Sequence, residues 1–158
     1  TNSQNTMKLK ILLLSITLLL APSLTYAKKF EVVCSDFYEI VNGQEKWNTP
    51  YASDTYYVTI DLTRNRYYLR YLERDGNRIN GYPDKYGQIT TVKNGIIFVD
   101  GRLSGKHGGP FEIQLDIFNG KYNAKNFYPK TNKLQNEWGS KNCYDSDNFL
   151  TDYLKKDK

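Results

Sequence analysis

The sequence predicts a mainly β, antiparallel domain: a hairpin-rich small barrel, or a curled sheet or sandwich, with a short C-terminal helix and its ends clasped by a disulfide. Three observations carry this expectation. Dipeptides that tolerate the left-handed backbone of primed two-residue turns recur at Asn42-Gly43, Asp75-Gly76, Asn94-Gly95 and Asn119-Gly120. The stretches between them are rich in Tyr, Val, Ile and Thr and alternate apolar with polar, as in strands that bury one face. The two cysteines, Cys34 and Cys143, stand near either end of this region.

Taken from the N-terminus, residues 1–6 are polar, without strand or helix pattern, and are read as lying upstream of the fold. Residues 7–27 have the parts of a cleavable signal peptide. Lys8 and Lys10 make a positive start, Ile11 to Ala21 an uncharged apolar run, and Thr25 and Ala27 are small residues at cleavage-site spacing. Pro22 breaks the run and Lys28 ends it, short of the roughly 20 apolar residues of a spanning helix. The mature chain is then residues 28–158, one exported domain of a size that supports its own core. Without Lys8 and Lys10, the 22 basic residues fall to 20 against 17 acidic ones, a net +3 too mild to imply nucleic-acid binding.

Export to a periplasm or to the cell exterior places Cys34 and Cys143 in an oxidising compartment, where a disulfide is expected. One histidine and no C-x-x-C argue against a metal or redox pair. For a loop this long the chain-entropy contribution is about 4.7 kcal/mol.

The strand pattern gives explicit pairings. A loop at Arg64-Asn65 would set Leu62 opposite Tyr67, Ile60 opposite Leu69 and Val58 opposite Tyr71, leaving one face apolar and placing Tyr56, Tyr67 and Tyr71 on it. A two-residue turn at Asn119-Gly120 would set Ile117 opposite Tyr122, Leu115 opposite Ala124 and Ile113 opposite Asn126. Segments 101–110 and 128–133 lack periodicity and read as longer loops. Asp145, Ser146 and Asp147 offer N-cap chemistry to a terminal helix in which Phe149, Leu150, Tyr153 and Leu154 recur at helical spacing, with Lys155 and Lys156 in the last turn.

Catalytic chemistry is sparsely represented. Nucleophile-and-base hydrolysis would depend on His107, which sits in a glycine-rich loop. Neither a G-x-S-x-G elbow nor a zinc-like ligand cluster is present, and no cofactor or metal is expected. Asp61, Asp100, Glu112 and Asp116 lie on expected strands, so a carboxylate pair acting on a glycan remains a further alternative.

Aromatic and basic residues are more informative. Tyr57 and Tyr68 fall on the outward face with Arg66 and Arg70, and Arg64, Arg74 and Arg78 flank them at the adjoining turns. Such a face can hold a sugar ring or an anionic polymer by stacking and bidentate pairing. It also suits an outer β face that binds nothing, where Tyr supplies strand propensity and Arg solubility. Trp47 and Trp138 sit in polar contexts and are either contact residues or plugs at a barrel end.

The cysteine near the mature start, the hairpin turn Phe118-Asn119-Gly120-Lys121-Tyr122 and the Trp138-Gly139 pair before Cys143 have the general look of small exported bacterial proteins, and the cystine-clasped ends of a barrel resemble the periplasmic lysozyme inhibitors. The likeness is one of architecture, and no inhibitory residue is carried over. The expected function is therefore a non-enzymatic binding module for an envelope glycan or a protein partner. The alternative is an inhibitor of a secreted hydrolase that inserts the loop holding Ser104, Lys106 and His107.

Overall fold

Alternation of buried and outward residues organises much of the long strands. In the strand Asp54–Asp61, for example, Tyr56, Val58 and Ile60 are buried between half-buried Thr55, Tyr57 and Thr59. The computed structural model describes residues 28–79, 86–103 and 108–156. The expected leader at 7–27 lies outside the described residues, as do Ser104, Lys106 and His107. The strands are β1 (Lys29–Val41), β2 (Gln44–Lys46), β3 (Asp54–Asp61), β4 (Arg66–Arg74), β5 (Asn77–Ile79), β6 (Tyr86–Lys93), β7 (Ile96–Arg102), β8 (Pro110–Asp116), β9 (Lys121–Phe127) and β10 (Leu134–Asp145). One helix, α1 (Phe149–Lys156), follows.

Eight strands run in the order β10-β9-β8-β7-β6-β4-β3-β1, and β1 also pairs with β10, so the antiparallel sheet closes into a barrel. The short β2 and β5 add to β1 and β4. Cys34 and Cys143 stand directly opposite each other across the β1–β10 seam and are bonded, so the expected disulfide joins the first and last strands. At the open end of β3, buried Asp54 holds Arg74 of β4 through two bonds of 2.6 and 2.9 Å.

Three of the four turn signals form the expected two-residue turns, with positive φ at both residues of Asn42-Gly43, Asp75-Gly76 and Asn94-Gly95. The fourth differs. Asp116 pairs with Lys121 across a four-residue loop, where Asp116 accepts the Asn119 backbone N–H at 3.0 Å and its side-chain amide at 2.8 Å. The β3–β4 loop is built alike: Asp61 pairs with Arg66 and accepts the Arg64 N–H at 3.0 Å. Both registers are therefore displaced by two residues from expectation, with Leu115 opposite Tyr122 and Ile60 opposite Tyr67. A shift of two preserves the faces, because the side-chain period is two.

Tyr71 is the exception. The register passes from Tyr57↔Tyr71 to Val58↔Leu69, leaving Arg70 as the extra residue of a β-bulge. The bulge turns Tyr71 outward and Leu72, fully buried, inward, which corrects the expected apolar placement of Tyr71.

Tyr67, Tyr122, Phe37, Phe111, Ile60 and Leu115 fill the interior. The ring of Phe37 lies 4.2 Å from that of Tyr56 and meets Tyr122 edge-on at 5.7 Å. The Tyr67 and Tyr122 hydroxyls bond at 3.2 Å, and burial pushes both phenol pKa values up. The helix buries Leu150 and Leu154 against the core while Phe149 is 67 % exposed, outside the expected packed stripe. Of the expected capping residues, Asp145 accepts the Thr151 N–H at 2.9 Å.

Candidate ligand-binding face

Register across four strands composes the outward surface. One row runs Tyr144–Val33–Tyr57–Tyr71 over β10, β1, β3 and β4. A second, two residues along, runs Glu31–Thr59–Tyr68–Tyr86 over β1, β3, β4 and β6. Arg70, displaced by the bulge, projects between the rows and pairs with Glu31.

The Tyr57 and Tyr71 rings stack with centroids 4.3 Å apart and planes 17° from parallel. The Tyr57 hydroxyl donates to Glu73 at 3.1 Å. Desolvation, then the bond to Glu73 and its charge, raises the Tyr57 pKa. Above Tyr71 lie two guanidinium groups, Arg78 at 4.5 Å and Arg70 at 5.8 Å from the ring centroid, within cation-π range. The adjoining depression, about 710 Å³, is lined by Lys29, Glu31, Thr59, Tyr68, Arg70 and Tyr86 among others. Arg66 lies 5.8 Å from the centroid of Tyr86, which is 54 % exposed. Among the described residues, neither Arg66 nor Arg78 has a carboxylate within ion-pair distance.

The structure thus brings Tyr57, Tyr68, Arg66 and Arg70 to one surface, and adds Tyr71, Tyr86 and Tyr144. A bulge hid Tyr71 from a period-two reading. Tyr86 and Tyr144 join the face only through pairings between strands distant in sequence. The tryptophans separate: Trp138, half-buried, packs against the core, whereas Trp47 lies outside, 4.7 Å from the Tyr38 ring. Of the four carboxylates, Asp61 and Asp116 hold their own turns. Asp100 and Glu112 face each other in register, both exposed, with Lys125 on the far side of Glu112. The Leu103 N–H donates to Gly109 O at 3.0 Å.

Flat aromatic faces flanked by planar cations suit a ligand with both apolar C–H faces and anionic groups. Stacking supplies contact area at small entropic cost, and the guanidinium fork supplies direction. No protein-family model, curated protein or solved structure matches this chain.

Proposed function

We propose that this protein is an exported, non-enzymatic binding module whose Tyr–Arg face takes an anionic glycan of the cell envelope. The observation that carries the reading is the stacked Tyr57–Tyr71 pair beneath Arg78 and Arg70, continuous with the Tyr68–Tyr86 depression. Sugar rings lie against the edges of the Tyr57–Tyr71 pair and along Tyr68 and Tyr86, and carboxylate or phosphate substituents pair with Arg66 and Arg78. The disulfide and the signal-peptide pattern at 7–27 support export.

The test is an array of acidic and neutral bacterial glycans, probed with oxidised residues 28–158 and with the Tyr57→Ala/Tyr71→Ala double variant. Saturable binding to acidic glycans, weakened by salt and lost in the double variant, is expected. Silence on every acidic glycan, or equal binding by the variant, overturns the reading.

A further inference from the structure

A second aromatic platform lies on the same strand pair as Tyr144. Trp47 is 46 % exposed and covers Tyr38, whose own ring lies across the backbone of β10 at Gly139. Glycine is needed there, since a Cβ would fall 2.8 Å from the Tyr38 hydroxyl and 2.8 Å from Tyr122 O. Lys141 Nζ sits 5.5 Å from the Tyr38 centroid and 5.9 Å from that of Trp47, and it pairs with Glu45. The bond to Glu45 raises the Lys141 pKa, and the Glu45 carboxylate balances the lysine's charge.

Tyr38 follows Val33 by five residues on β1, and Gly139 precedes Tyr144 by five on β10. An odd spacing puts two residues of a regular strand on opposite faces. Asp36 removes that conflict: its φ of 55° inverts the alternation, so Phe37 enters the core and Tyr38 turns to the outer side of the sheet, where it stays buried beneath Trp47. A non-glycine residue in this conformation is uncommon and needs support. The support here is polar, with Asn142 donating to Asp36 Oδ2 and to Ser35 Oγ, each at 2.8 Å. These three residues floor the interval between the two aromatic platforms. At about 3.3 Å per residue, Gly139 and Tyr144 stand roughly 17 Å apart along β10.

We infer that the β1–β10 ribbon is a track for a linear anionic polysaccharide. One stretch of the chain stacks at Tyr144, Tyr57 and Tyr71, and another stretch of the same chain stacks at Trp47. Ser35, Asp36 and Asn142 meet the hydroxyl groups between them. This rests on the glycan reading of the Tyr–Arg face and adds to it the length of ligand recognised. Joining two weak stacking sites by one chain makes the second contact intramolecular, so affinity climbs once the chain spans both.

The experiment is calorimetric titration of residues 28–158 with a ladder of acidic oligosaccharides, from disaccharide to chains long enough to cover both platforms. Affinity is expected to rise at least tenfold between the shortest and longest chains. Trp47→Ala should abolish that rise while leaving disaccharide binding unchanged, which also certifies that the variant is folded, and Trp47→Phe should restore it in part. Tyr57→Ala should weaken every length. Affinity independent of length, or a rise that survives Trp47→Ala, overturns the track while sparing the Tyr–Arg site. Absence of binding at every length overturns both.

Discussion

The outward face of β8, β9 and β10 and the outward face of β1, β3 and β4 share one geometry and differ in chemistry. On the first, Glu112 stands opposite Lys125, Lys125 Nζ lies 3.9 Å from Glu137, and Asn123 donates to Glu137 at 2.9 Å. Polar groups there find partners within the face. On the second, rings stack on rings and guanidinium groups lie over them, and Tyr86 of the adjoining β6 is 54 % exposed. Strand propensity favours tyrosine on both faces equally. Its concentration on one of them, with arginine, is the contrast on which the proposed glycan site rests.

The comparison is sharpened first by the interior that both faces share. Phe111→Ala should cost about 3–5 kcal/mol, because the ring is fully buried against β6 and β7. Urea unfolding should show that loss, and binding should fall with the fold.

Next comes the buried pair Tyr67 and Tyr122, whose folded-state pKa values are raised. Their protonated forms are favoured by folding, so the stability they contribute is complete below the unfolded value near 10 and declines as pH rises above it. The expected slope is about 1.4 kcal/mol per pH unit for each tyrosine. Denaturation midpoints measured across the alkaline range check this, and midpoints that stay level above pH 10 would contradict it.

Smaller effects separate the faces directly. Tyr57→Ala or Tyr71→Ala should weaken glycan binding about tenfold while costing about 0.5–1.5 kcal/mol of stability from the lost stack. Glu112→Ala, on the opposite side, should change stability by less than about 0.5 kcal/mol and leave binding intact. A glycan affinity that falls equally in Glu112→Ala and Tyr71→Ala would dissolve the distinction.

Much of this was legible in advance. The hairpins, the terminal helix, the cystine and the joint outward placement of Tyr57, Tyr68, Arg66 and Arg70 follow from local rules. The left-handed residues of a primed turn and the period of two act over a few residues. Misplaced registers at Asp61–Arg66 and Asp116–Lys121 share a readable cause, since each loop opens with an aspartate that caps the residue three positions on. That signal competes with the Asn-Gly signal and wins at Asn119, where the Asp116 carboxylate bonds both the backbone and the side chain.

By itself, then, the sequence determined the strand-forming segments, which side chains turn inward along most of them, and which two residues are bridged. Only the tertiary structure decided that the sheet closes into a barrel, that Arg70 bulges and turns Tyr71 outward, and that Asp36 turns Tyr38 out of the core to lie beneath Trp47. It also decided that Tyr144 and Tyr86 join Tyr57 and Tyr68. The reason is physical: alternation and turns are set by neighbours in the chain. Closure, bulges and cross-strand rows are set by how β1 and β10, more than a hundred residues apart in sequence at Cys34 and Cys143, come to share one seam.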